Sequence, residues 1–439
     1  MASTYLSRTP SSTGNRRKFT FSAWIKFNFN QLANNSRIFG CGSATSAWVS
    51  AYINADATLQ LAIVEGGNTY SIQTNRKFRD ESAWYHVVFV VDTENATADN
   101  RLRIYVNGQE ETSLAQRVNP TQDLDTQANT ASKPIDIGSA ENIGYSPRYF
   151  PGIMSHVHMT DGYVYSASNF GSTDSTTGEW NINTSPSVTY GTNGFFILKD
   201  GNSVTDQSPN TNNFTVAGGT LTKTEDCPSN VFPTLNPLLT HAAHGYSLTI
   251  GLGNNKITFN EPSTWTYSTS TIAGINGKFY AEFKVDAVGS EASIGVIASD
   301  TVNVNQTSGG LDDYLGKETD SIGYFNDGRI YNNNSQGQTG LTSFTSGTIV
   351  GVAMDLDNNT VQFYNNGSTV GNTVSISADK FYHFGVSGYN STQISCNFGN
   401  GYFGTTAVSS AGTNASGIGI FEFDVPTNYR ALSTKGLNL

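Results

Sequence analysis

Charge is the first thing this sequence is short of. Only 13% of its 439 residues are Asp, Glu, Lys or Arg, half the share of about 25% found in ordinary soluble domains. Polarity comes instead from Asn, Thr, Ser and Gly, the vocabulary of strands and tight turns rather than of long helices. The few charges leave a formal balance of −11 and a pI near 5.0. An acidic chain without a basic block excludes nucleic acid and an anionic membrane surface as partners. Cysteine is also scarce: Cys41, Cys227 and Cys396 are too few and too far apart for a disulfide framework or a CxxC metal site, and are read as buried thiols. No run approaches the roughly 18 consecutive apolar residues of a membrane helix. The opening residues lack the apolar core of a signal peptide, so the expectation is a chain synthesised in a cytoplasm and not inserted in a membrane.

What the chain does have is alternation. Residues 19–29 read FTFSAWIKFNF, with Phe19, Phe21, Ala23, Ile25, Phe27 and Phe29 on one face, a period of two and hence a strand. Residues 37–42, 47–53, 59–64 and 69–73 follow as short strands. Residues 84–91, WYHVVFVV, are nearly all apolar and predict a buried central strand. Residues 110–134 are polar and predict a surface loop, 163–171 one short helix, and 417–425 a final strand.

A phrase recurs between the two halves. An apolar strand ends in Asp92, a polar turn follows, and a second strand ends in Tyr105-Val106-Asn107-Gly108. Later, an apolar strand ends in Asp355 and its successor in Tyr364-Asn365-Asn366-Gly367. Asn-Gly between apolar runs is a strong hairpin signal, because both residues tolerate positive φ. Residues 226–239 hold Pro228, Pro233 and Pro237, which deny the backbone donors of a strand or helix. The expected architecture is all-β: two jelly-roll-like antiparallel β-sandwiches, residues 1–225 and 243–439, joined by a Pro-rich connector at 226–242.

Residues 277–283 (GKFYAEF), 294–296, 321–324 (SIGY), 328–331 (GRIY), 351–352, 363–367 (FYNNG) and 397–399 (NFG) resemble, in order, the SPRY (B30.2) domain. FTFSAWIK, WYHVVFVVD, LRIYVNG, IDIGSA and FPGIMSHVHMTDG resemble the laminin-G/concanavalin-like jelly roll. The combination, with DGYVYSASNFGSTDSTTGEWN, DCPSNVFPTLNPL and PTNYRALSTKGLN, resembles virion-associated proteins of marine, cyanophage-like bacteriophages. The resemblance implies a virion location. It implies a structural appendage that contacts other virion proteins and copies of itself, and that recognises a host-surface glycan or protein. A capsid decoration protein is the alternative, and a polysaccharide depolymerase a more distant one.

Chemistry is hard to find. Glucanases of concanavalin-like fold need carboxylates flanking the scissile bond, but Glu422-Phe423-Asp424 lacks its second Glu, and Glu282 to Asp286 offers no better set. No catalytic residue is assigned and no enzyme is expected. His156 and His158 share a strand face, and His241 and His244 sit in the connector, without a metal set completed in either place. No cofactor is assigned; Asp92, Asp136 and Asp161 are available oxygens should calcium bind. Sugar sites pair an aromatic face with amide or carboxylate groups. By that rule the candidate binding residues are Asp312, Asp313, Tyr314, Tyr331, Asn365, Asn366, Tyr389 and Asn390, all in loops or turns of the second half. Trp48 and residues 145–149 are the comparable loop aromatics of the first.

Overall fold

A computed structural model describes residues 3–28, 31–32, 35–144, 148–199, 203–239, 247–251, 253–302 and 314–438. The chain divides into two compact units, Met1–Lys223 and Thr224–Leu439. Each places a larger sheet against a six-stranded one, and almost every ladder is antiparallel; the Arg430–Ala431 strand runs parallel to Lys278–Ala287.

In the first unit the six-stranded sheet runs Phe195–Ile197, Gly152–Asp161, Lys18–Phe27, Tyr85–Asp92, Leu102–Val106, Gln109–Glu110. The predicted alternation is realised in Lys18–Phe27. Phe19, Phe21, Ile25 and Phe27 enter the core between the sheets, where the Phe21 ring stacks on Phe39 of the opposite sheet with centroids 4.4 Å apart. Tyr85–Asp92 lies in the middle of its sheet and is buried along nearly its whole length. Its uniform apolarity has a cause: Val87, Phe89 and Val91 face the inter-sheet core, while Val88 and Val90 meet a second cluster from Ala167, Phe170, Val164, Tyr165, Trp180 and Val188. Residues 163–190 thus cover the outer face of this sheet.

Three expectations need correcting. Residues 110–134 are not all loop: Leu114–Val118 is an edge strand paired with Asn68–Lys77, its exposure hiding the alternation that marks a half-buried strand. The short helix over 163–171 shrinks to a single 3-10 turn, Ala167–Asn169, and among the described residues the one α-helical turn is Thr434–Leu437, capped by the Ser433 hydroxyl accepting from the Gly436 N–H. Residues 417–425 form no strand; Ile420 alone makes a bridge, to Asn400. Gly417 and Gly419 adopt positive φ, 66° and 93°, and break the extended run.

The second unit pairs the Ile349–Asp355 and Thr360–Asn365 strands in the sheet order Leu248–Gly251, Lys256–Phe259, Thr392–Asn397, Lys278–Ala287, Ile349–Asp355, Thr360–Asn365, Ser368–Ser375. The opposing sheet runs Thr266–Thr269, Tyr382–Gly388, Ala292–Ala298, Ser321–Phe325, Ile330–Asn332, Ser335–Gln338. Residues 226–239, the described part of the Pro-rich stretch, lie in this unit. Leu235 is fully buried in its core and bridges to Ser270.

The recurring phrase has a shared geometry. Asn107 sits at φ 46° and Asn366 at φ 45°, each followed by a positive-φ glycine. The Asn107 Oδ1 accepts the His86 N–H at 2.8 Å; the Asn366 Oδ1 accepts the Ile349 N–H at 2.9 Å. Each glycine then meets an aromatic ring from a segment laid over the sheet, Trp180 at Gly108 and Phe423 at Gly367. Replacing Gly108 with alanine is expected to destabilise the first unit by about 1–3 kcal/mol, because its φ is 83° and a Cβ would collide with the Trp180 ring. Urea unfolding of the variant, followed by circular dichroism, checks this; a midpoint equal to the parent's would refute it.

Candidate functional site

One end of the second unit's six-stranded sheet gathers aromatic side chains. Antiparallel pairing sets Thr266 and Ala292 on either side of Gly388, and Ser293 opposite Phe325. The residues just outside these ends are therefore neighbours. Trp265 lies 5.2 Å from Tyr389, 5.5 Å from Tyr314 and 5.5 Å from Phe325, centroid to centroid. Tyr331 adds contacts of 5.8 Å to Tyr314 and 4.9 Å to Phe325. Most of these rings meet edge to face, the arrangement their quadrupoles favour. Trp265 and Phe325 are buried at 7% and 3% exposure, whereas Tyr314, Tyr331 and Tyr389 are half-buried.

Arg329 completes the patch. Its guanidinium lies 5.4 Å from the Tyr331 ring centroid and 5.9 Å from that of Phe325, within cation–π range. It donates to the Tyr331 hydroxyl at 2.9 Å, pairs with Asp327 and reaches Glu291 at 3.7 Å. Two carboxylates around one guanidinium leave the rim slightly acidic. Amides line it: Asn334 Oδ1 accepts the Tyr314 hydroxyl at 2.9 Å, and Asn390, at φ 56°, donates from Nδ2 to Ser290 Oγ at 2.7 Å.

The structure thus brings together three of the predicted residues, Tyr314, Tyr331 and Tyr389, and sets Asn390 beside them. Asp312 and Asp313 fall outside the described residues. Asn365 and Asn366 are occupied elsewhere. Asn365 Nδ2 donates to the Tyr324 hydroxyl at 3.3 Å and the Ser343 carbonyl at 3.2 Å, and Asn366 closes its hairpin. Sequence reasoning missed Trp265, Phe325 and Arg329. Trp265 was the available signal, as the one tryptophan after residue 180.

The remaining candidates are structural in their contacts. Trp48 is buried, donating to the Thr45 carbonyl at 3.1 Å, with the Arg37 guanidinium 5.1 Å from its ring. Tyr149 donates to Glu141; residues 145–147 lie outside the described set, as do His241 and His244. A bulge at Ser155–His158, with His156 at φ 49°, separates the two strand histidines. The Nδ1 of His156 bonds Ser155 Oγ at 2.8 Å and that of His158 the Tyr190 hydroxyl at 3.0 Å. Among the described residues no group of three or more His, Cys, Asp or Glu is placed to hold a metal. Both Asp136 oxygens accept from Asn142. The Asp161 oxygens accept the backbone N–H groups of Asn15 at 2.6 Å and Asn193 at 2.9 Å, beside a shallow polar cleft of about 490 Å³. Cys41 and Cys396 are buried and Cys227 is half-buried. Among the described residues no helix is long and apolar enough to cross a membrane.

Glu282 is fully buried. A general acid must reach the proton it transfers, and this carboxyl instead accepts the backbone N–H groups of Glu422 and Phe423.

Residues 2–169 match the concanavalin A-like lectin/glucanases superfamily, and residues 278–401 match the SPRY domain. No curated protein matches the chain. Among solved structures, the SPRY domain of human HERC1 aligns at 17% identity and TM-score 0.29, over 37% of this chain and 96% of that one. A heptameric SAP-like pentraxin from Limulus polyphemus aligns at 19% identity and TM-score 0.28, over 37% of this chain and 72% of that one.

Proposed function

From a concanavalin A-like domain followed by a SPRY domain, we propose a non-enzymatic binding protein of a bacteriophage virion that recognises a host-surface glycan or protein. The observation that carries the binding role is the sheet-end patch of Tyr314, Tyr331 and Tyr389 around Trp265. Half-buried rings, a guanidinium held in place by its own carboxylates, and neutral amides suit a ligand of mixed polarity and little charge. The virion setting is supported only by the resemblance of the ordered sequence phrases to those of phage structural proteins.

The test is binding of the purified full chain to a glycan array and to intact host cells, parent against Tyr314→Ala and Tyr389→Ala. Each substitution is expected to weaken binding about 30-fold, the loss of about 2 kcal/mol typical of a central aromatic anchor. Unchanged binding in both would remove the patch as the site. Imaging of the particle tests the setting: the protein at tail or fibre tips supports recognition, and an icosahedral array with this patch buried would replace it with capsid decoration.

A further inference from the structure

Arg8 is a half-buried cation that meets no anion. Arg16, Arg17, Arg76 and Arg117 of the same unit each pair with a carboxylate, whereas among the described residues none stands within ion-pair distance of Arg8. Asp206 and Asp161 act on it only through space, because their oxygens are taken by other donors. Asp206 Oδ1 accepts the Phe196 and Ser208 N–H groups at 2.7 and 2.9 Å, and its Oδ2 accepts the Asn212 N–H at 2.7 Å and the Ser208 hydroxyl at 2.8 Å. Asp161 is held by the Asn15 and Asn193 N–H groups.

The guanidinium is nevertheless fixed. Its Nη2 donates to Asn212 Oδ1 and its Nη1 to the Asn193 carbonyl at 3.5 Å. Asn212 cannot turn away, since its Nδ2 donates to the Thr192 and Gly194 carbonyls at 2.9 and 2.8 Å. A guanidinium has five N–H donors, so three remain, and among the described residues no acceptor meets them. Arg8 lines an open polar cleft of about 410 Å³ between the Tyr5–Arg8 strand and residues 211–215. Three further groups of its lining are unbonded among the described residues. They are the hydroxyls of Thr9 and Thr211 and the Nδ2 of Asn213, whose Oδ1 accepts the Asp206 N–H at 2.9 Å.

We propose that this cleft binds a carboxylated sugar, such as a hexuronate residue of a polysaccharide, with the sugar carboxylate on the Arg8 guanidinium. A planar fork of N–H donors matches a carboxylate in shape as well as in charge. Burying a guanidinium without an anion is costly, and the bound carboxylate relieves that cost. Thr9, Thr211 and Asn213 supply the neutral donors and acceptors that sugar hydroxyls need. The acids nearby choose among anions. A phosphate monoester carries nearly twice the charge of a carboxylate at neutral pH, so Asp161, Asp206 and the net charge of −11 oppose it more strongly. One guanidinium makes no basic surface, and the exclusion of nucleic acid stands. This site belongs to the first unit, and its occupancy does not depend on the aromatic patch of the second.

A ligand-observed NMR titration of the full chain with glucuronate and with glucose, which differ at a single carbon, is the experiment. Glucuronate is expected to bind about 10-fold more tightly, the worth of one charge-assisted pair. Arg8→Lys keeps the charge but loses the fork, and should weaken glucuronate binding about 10-fold. Tyr314→Ala should leave it unchanged. Equal affinity for the two sugars in the parent chain overturns the proposal. So does inorganic phosphate binding more tightly than glucuronate, or full glucuronate affinity in Arg8→Lys. Loss of glucuronate binding in Tyr314→Ala would move the sugar to the patch and overturn it too. The parent comparison alone decides the matter if Arg8→Lys does not fold.

Discussion

Carrying the protein from pH 7 to pH 3 is expected to remove about 4 kcal/mol from the stability of the first unit through His86 alone, about 2 kcal/mol of it by pH 5. His86 is fully buried, between the rings of Trp24 at 5.0 Å and Trp180 at 5.9 Å. Trp180 Nε1–H donates to its Nδ1 at 3.1 Å, which places the ring proton on Nε2, donating to Ser22 Oγ at 2.9 Å. A second proton would face the indole N–H and has no acceptor. Burial accordingly lowers the pKa from 6.5 to about 3. Between these values the unfolded chain binds a proton and the folded one does not, so stability falls with falling pH. His158 acts in the same direction, lowered by burial, with His156, His86 and Lys199 adding to it. Asp136 and Asp161, raised by burial, act oppositely at lower pH. The clean measurement is therefore the difference between parent and His86→Gln in urea unfolding from pH 7 to pH 5. Identical pH dependence in the two proteins would show that His86 does not carry the effect.

This histidine also shows what was legible in the sequence. Its strand was: WYHVVFVV is too apolar to have a solvated face. Its cover was not. Residues 163–190 have no long periodicity of either kind, because they lie across the sheet and their contacts come from loops, a 3-10 turn at Ala167–Asn169 and a three-residue ladder of Gly171–Thr173 with Trp180–Ile182. The same holds for residues 409–425. Their apolar run GIGIFEF reads as a strand, but the N–H groups of Glu422 and Phe423 go to a side chain rather than to a neighbouring strand. A strand pattern records burial, not the partner that receives the backbone hydrogen bonds.

The candidate site was legible in the same uneven way. Tyr314, Tyr331 and Tyr389 stood out as aromatics in polar loops. What joins them, Trp265 and Phe325, sits at strand ends and reads as core. Only the pairing of Thr266 and Ala292 with Gly388 shows that residues 265, 325 and 389 meet. Asn365 and Asn366 stood out for the opposite reason: the amides that make a turn look available are the atoms that build it.

Phe21→Ala is expected to cost the first unit about 3–5 kcal/mol, the range for removing a fully buried ring from a core that cannot close over the space. Phe21 is fully buried; its ring stacks on Phe39 across the sandwich and lies 6.5 Å from Phe89 on the neighbouring strand. Both partners are fixed by their own strands, so neither can move in to fill the gap. The next residue is a control with the opposite orientation. Ser22→Ala removes almost no volume but leaves the His86 Nε2–H without its acceptor, a cost of about 1–3 kcal/mol. The two variants should also differ in kind. Phe21→Ala lowers stability by the same amount at pH 7 and pH 5, since nothing it touches titrates there. Ser22→Ala changes the pH dependence as well, because it alters the environment of a buried imidazole. Urea unfolding of both variants at the two pH values distinguishes them. A Phe21→Ala loss below about 1 kcal/mol would mean that the inter-sheet packing at Phe39 is looser than a native core allows.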